Sequence, residues 1–249
     1  QMDADAQTNH IIAGQTSDHY EESPMPDPPI SEIGKTYSLG NHQIYCGERE
    51  PTEDLRLFGS LGAQMTMTSF EDIGGREHVA TLSHILQNTL GAVYIVVPWD
   101  AAVAYTKAFE EAGGVCETHI VTYAPMLGDN MDGSSYLIIY GSEMDTNRTL
   151  YTTGNRTNLW SLHRTPPTDD LPVELIVKAL LNGSQEGDVV LDPHLCKGAV
   201  LIAGEKTGRS VVGYVGKPSM CDLIRKRWAE FVFGHDCDWQ QHAGEKIIK

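Results

Sequence analysis

Hydrophobic positions along most of this chain keep two alternating rhythms, short β-branched runs and longer stretches with helical spacing. Ala63–Thr68 alternates as a strand, with Gln64 and Thr66 set against Met65 and Met67. Glu77–Leu90 follows, with Val79, Leu82, Ile85, Leu86 and Leu90 at helical intervals. Ala92–Val97 reads as a central strand and Ala101–Ala112 as a helix ended by Gly113-Gly114. Cys116–Tyr123 and Tyr136–Tyr140 supply two further strands on either side of a loop at Ala124–Ser134. Pro172–Leu181 is a helix that opens on proline, carries Leu175, Ile176, Ala179 and Leu180 as its apolar stripe, and stops at Asn182-Gly183. Cys221–Phe233 is the last helix, with Leu223, Ile224, Trp228 and Phe231 inward and Arg225, Lys226 and Arg227 outward.

Between the last two helices lies the unit around which the chain is organised. Val189–Leu191 is long enough for a buried strand, Lys197–Thr207 is a helix stopped by Gly208, and Ser210–Val215 is a second strand. The turn Asp192-Pro193-His194-Leu195-Cys196-Lys197-Gly198 then sits at the carboxyl end of the first strand, where open α/β sheets bind ligands. Residues 1–36 are polar, acidic and proline-bearing, and predict a flexible or extended arm. The stretch from Gly234 to the end predicts a frayed tail.

Composition adds limits more than identity. A 41% hydrophobic fraction over 249 residues supports one α/β domain of ordinary size. No run of about 18 apolar residues exists, so no membrane span is expected. No secretory leader opens the chain, which predicts a cytoplasmic protein, or a virion-associated one if phage-encoded. Cys46, Cys116, Cys196, Cys221 and Cys237 are odd in number and lack CxxC spacing, so reduced thiols are expected and no metal. The net charge of −16 opposes tight duplex binding, because phosphate neutralisation by Lys and Arg supplies most of such affinity. DNA binding is therefore expected to be weak or dependent on a partner.

Leu191-Asp192-Pro193, then Gly198 and Ala203-Gly204-Glu205-Lys206-Thr207-Gly208-Arg209, resembles the cofactor motif of DNA amino-methyltransferases. These enzymes methylate N6 of adenine or N4 of cytosine with S-adenosylmethionine. The resemblance is to the phage and mobile-element type, in which the target-base motif precedes the cofactor motif. It runs from about Leu39 to Phe233 and includes a hairpin over Lys35–Glu48. It implies a Rossmann-like class I methyltransferase fold: a mixed, mostly parallel seven-stranded sheet with helices on both faces. The implied organisation is an arm at 1–36, a methyltransferase-like domain at 37–233 with a reduced recognition segment at 142–167, and a tail at 234–249.

The departures from the family pattern concern chemistry more than packing. The family turn Asp-Pro-Phe-x-Gly-Ser-Gly-x-Thr becomes Asp192-Pro193-His194-Leu195-Cys196-Lys197-Gly198-Ala199-Val200. The Asp-Pro-Pro-Tyr clamp, whose acid and prolyl carbonyl accept the exocyclic amine protons of a flipped base, becomes Ser69-Phe70-Glu71-Asp72. The acid that should bind the ribose hydroxyls is Val215, followed by Lys217, and the lysine before the Pro172 helix is gone. Arg148, Arg156 and Arg164, with the aromatics Tyr151 and Trp160, are candidates for a weak nucleic-acid contact. With four sites altered, Asp192, Pro193, His194, Cys196, Gly198 and Val215 are expected to be vestigial and no cofactor is expected. The predicted function is a catalytically inactive methyltransferase-like protein kept for binding a protein partner or a second copy of itself. Two alternatives are an active S-adenosylmethionine-dependent enzyme with unusual motifs and an acidic DNA mimic.

Overall fold

The computed structural model describes residues 25–47, 62–70, 78–123, 136–144, 146, 151, 157–162 and 171–245. The strand–helix–strand unit is present as β8 (Val189–Asp192), α4 (Ala199–Thr207) and β9 (Ser210–Val215), with β8 and β9 parallel and Asp192 opposite Gly213. The helix α4 starts at Ala199, later than its apolar spacing predicts. Cys196 and Gly198 hold φ of 45° and 88°, a left-handed backbone that cannot be part of a right-handed helix.

The remaining elements in chain order are β1 (Lys35–Leu39), β2 (His42–Cys46), β3 (Ala63–Ser69), α1 (Val79–Asn88), β4 (Thr89–Val97), α2 (Ala102–Glu111), β5 (Gly114–Tyr123), β6 (Leu137–Glu143), β7 (Leu159–Ser161), α3 (Val173–Gly183), α5 (Pro218–Phe233) and the short α6 (Trp239–His242). They form a nine-stranded sheet in the order β1-β2-β9-β8-β3-β4-β6-β5-β7. Seven strands were expected. The sheet exceeds seven at its edges, with β1 antiparallel to β2 in the expected hairpin and the three-residue β7 parallel to β5, so the central order is unaltered. Five of the eight neighbouring pairs are parallel, as the mixed, mostly parallel class requires. No helix among the described residues is long and apolar enough to cross a membrane.

Alternation along β4 sends side chains to two cores. Tyr94 and Val96 join Met65, Met67, Leu175, Leu201 and Trp228 on the face covered by α3, α4 and α5. Val93, Ile95 and Val97 join Leu82, Ile85 and Phe109 on the face covered by α1 and α2. Helices on both faces explain why the central strands are apolar throughout. The predicted stripe residue Leu90 falls outside this core, as does Phe231 of the last helix. Thr89 ends α1 by taking an extended backbone and donating its hydroxyl to the Ile85 carbonyl at 2.7 Å, so Leu90 is already strand and is 62% exposed.

The last helix differs from its sequence reading. Arg225 and Arg227 are buried at 3% and 7% exposure, not solvated. Arg225 donates to the Ala243 carbonyl at 2.7 Å, to Ser31 Oγ at 2.8 Å and to Asp222 at 3.2 Å, and its guanidinium lies 4.1 Å from the Tyr37 ring. Asp222, fully buried, also accepts the Ile30 and Ser31 amides and the Ser31 hydroxyl. These bonds anchor residues 30–31 and 243, from opposite ends of the chain, to α5. The stretch after Gly234 is likewise docked: Ser38 N–H donates to the Gly244 carbonyl at 3.0 Å, and the Phe233 and His242 rings stack at 3.9 Å.

A second polar cluster fixes β2 to α4 and α5. His42 accepts the Val211 amide at Nδ1 (3.0 Å), which leaves the Nε2 proton to donate to Glu205 at 2.9 Å. Trp228 Nε1–H donates to the same carboxylate oxygen at 3.0 Å. The bond from His42 holds the Glu205 carboxyl below the ordinary carboxylate range, against partial burial and with help from Trp228. A folded-state value below the unfolded one adds stability at neutral pH that is lost as pH falls through the carboxylate range. Glu205→Gln keeps an acceptor but loses the charge. It is expected to cost about 1 kcal/mol at pH 7, with the gap from the parent closing near pH 3, measured by urea midpoints at both values.

Candidate functional site

The chain leaves β8 towards β9 on one side, whereas β3 continues through α1 to β4 on the other. Between the carboxyl ends of β8 and β3 the sheet order therefore reverses, and a crevice opens there. On the β8 side, Asp192 is 2% exposed and accepts the His194 amide at 3.0 Å, closing a local turn. Leu195 N–H donates to the Tyr214 carbonyl at 3.2 Å, and its side chain lies on Gly213, where a Cβ would overlap it. Gly198, on the last residue before α4, has only 3.1 Å between a would-be Cβ and Ile224. Backbone freedom and close approach both require glycine there.

On the β3 side stand Thr68 and Ser69, 1% and 9% exposed. Ser69 Oγ lies 3.5 Å from Cys196 Sγ, so one side chain from each wall meets across the crevice. Thr68 Oγ1 is buried with no hydrogen-bond partner among the described residues. Leu171, just before α3, Ile176 from α3, and Ala199 and Val200 from α4 complete the lining. The space left is about 10 Å³, the room of roughly one water molecule.

Phe70 does not face this space. Its ring is 6% exposed and packs against His78, Tyr105 and His194 at centroid distances of 4.6, 4.9 and 4.8 Å. The position that should carry the first clamp proline is thus a core aromatic. Val215 is 4% exposed at the end of β9, its carbonyl accepting the Gly47 amide at 3.0 Å, and presents no carboxylate. Lys217 is exposed at the residue before α5.

Of the predicted site residues, the structure brings Ser69, Asp192, His194 and Cys196 together in one crevice, with Pro193 and Gly198 in its turn. Trp160 lies away from them in β7, partly buried at 6.3 Å from the Tyr94 ring. Glu71, Asp72, Arg148, Arg156 and Arg164 lie outside the described residues. Sequence reasoning missed Thr68, His78 and Tyr105. A threonine at the end of a central strand was the available signal for the first, and nothing local pointed to the other two. Among the described residues no group of three His, Cys, Asp or Glu side chains is placed to hold a metal ion.

A DNA methylase family model for N6 and N4 methyltransferases matches residues 99–226, just over half of the chain. The matched residues include the β8–α4 turn and β9 but begin after Ser69. The type II methyltransferase M.HhaII of Haemophilus parahaemolyticus is 30% identical over 93 residues, which is 36% of this chain and 38% of that protein. The matched stretch thus spans well under half of that relative's length. Two solved structures share the fold. The M1.HpyAVI–SAM complex aligns with a TM-score of 0.62 at 14% identity, over 74% of this chain and 98% of that one. The cytosine-N4-specific PvuII DNA methyltransferase aligns with a TM-score of 0.64 at 11% identity, over 85% and 94%.

These findings overturn one expectation. The sequence predicted no cofactor, yet M1.HpyAVI, whose fold this chain shares, was solved with SAM. The expectation rested on the four altered sites taken together, whereas β8, α4 and the turn between them still supply Asp192, His194, Leu195, Cys196, Ala199 and Val200 to the crevice lining. The cavity enclosed by the turn and the Ser69 wall, at about 10 Å³, is smaller than a nucleoside. By its matched model and its sheet, the chain belongs to the DNA methylase family of N6 and N4 methyltransferases.

Proposed function

We propose that this protein binds S-adenosylmethionine at the β8–β3 crevice and does not by itself transfer the methyl group to a base in DNA. The observation that carries the second half is the state of the β3 end. Methyl transfer to an exocyclic amine needs acceptors aimed at its protons, so that the nitrogen lone pair turns to the sulfonium. Ser69 offers a hydroxyl engaged with Cys196, and Phe70 is packed into the core behind His194. The first half is supported by the preserved turn, in which Asp192 caps His194 and Gly198 keeps its left-handed backbone. Asp192 and the amides at the start of α4 are the groups that would hold the cofactor. The ribose would lack its usual carboxylate at Val215, which weakens binding by about 1–3 kcal/mol. The fold then serves as a binding partner and not as a lone catalyst.

Calorimetry with S-adenosylmethionine is expected to give a saturable isotherm of roughly 10 μM to 1 mM. Labelled-methyl transfer to duplex DNA is expected to stay at background. Incorporation into adenine or cytosine would end the inactive reading, and a flat isotherm at millimolar cofactor would end the binding one.

A further inference from the structure

We infer that Cys196 sets access to the crevice: its side chain closes the gap between β8 and β3, and the cofactor enters only when the contact with Ser69 parts. The inference rests on the S-adenosylmethionine-binding reading above. Among the described residues Cys196 is the one non-glycine with φ in the left-handed region, at 45°. An L residue is disfavoured there because Cβ crowds the following carbonyl, and glycine would take the same backbone freely. The strained backbone sends the thiol from the β8 turn to Ser69 Oγ at 3.5 Å, across the line where the two halves of the sheet diverge. What remains is a cavity of about 10 Å³. Thr68 Oγ1 lines the same cavity, 1% exposed and with no hydrogen-bond partner among the described residues, so a ligand that displaces the thiol also gives a buried hydroxyl its missing partner.

A closed majority state lowers apparent affinity by the fraction that is open, and removing the closure restores it. The parent, Cys196→Gly, Cys196→Ala and Ser69→Ala are titrated with S-adenosylmethionine, and association rates are followed by stopped flow. Cys196→Gly is expected to bind about tenfold tighter, through faster association at an unchanged dissociation rate, and to melt no lower than the parent. Cys196→Ala and Ser69→Ala, which remove one side of the contact each, are expected to fall between. A residue that only supports the turn would lose affinity on substitution, in the dissociation rate. Parent and Cys196→Gly binding within twofold of each other would overturn the gate and leave the binding reading standing. Binding by Cys196→Gly with none by the parent supports the gate and overturns binding by the native chain alone. Absence of binding in all four overturns both.

Discussion

Asp222→Ala is expected to destabilise the protein by about 3–5 kcal/mol, the largest loss of any single polar substitution here. The carboxylate is fully buried and accepts four hydrogen bonds, from Ile30 N–H (2.7 Å), Ser31 N–H (2.9 Å), Ser31 Oγ (2.6 Å) and Arg225 (3.2 Å). Its removal leaves the Arg225 guanidinium buried beside Tyr37 without its counter-charge. The two amides of residues 30 and 31 lose their acceptor at the same time. Ser31→Ala removes only the bridging hydroxyl and is expected to cost about 1 kcal/mol. Urea unfolding gives the energies, and amide exchange at Ile30 and Ser31 should accelerate in Asp222→Ala before global unfolding. A loss below about 1 kcal/mol for Asp222→Ala would show that the anchored segment adds little.

Leu195→Ala comes second, at about 2–5 kcal/mol, and its interest lies in how it combines with Gly213→Ala. Leu195 is 2% exposed, and its side chain occupies the space that a Cβ on Gly213 would need. Alone, Gly213→Ala forces Leu195 off β9 and strains the turn that carries His194 and Cys196, at about 1–3 kcal/mol. In the double variant the new methyl group partly fills the cavity left by the shortened Leu195. The two losses should then fall short of their sum by at least about 1 kcal/mol, the signature of residues in direct contact. Additive losses in a double-mutant cycle would mean that Leu195 does not seat the turn on β9. Because the turn forms one wall of the crevice, both single variants should also weaken the proposed S-adenosylmethionine binding, whereas Asp222→Ala, bonded to residues 30 and 31, should not.

Most of the fold was legible in the sequence because its signals are local. Alternation marks Met65 and Met67 in β3, helical spacing marks Leu175, Ile176, Ala179 and Leu180 in α3, and Gly208 stops α4 whatever surrounds it. Element bounds shifted by a few residues where a side chain intervened, as at Thr89, whose hydroxyl bonds to Ile85 and Thr66 and turns the backbone into β4. The inward placement of Arg225 was not legible. Its periodicity puts it on the polar side of α5, and only residues from both ends of the chain make that side an interior.

The sequence by itself determined the order of strands and helices, the strand–helix–strand unit from Val189 to Val215 and the turn that carries Asp192 and Cys196, since each depends on residues within a few positions of one another. The tertiary structure alone decided that β3 lies beside β8, that Ser69 meets Cys196 across 127 positions, that Phe70 turns into the core, and that Ser31 reaches Asp222 across 191. Contacts of that span leave no local trace. They arise when the sheet closes and its burial energy selects one neighbour for each strand.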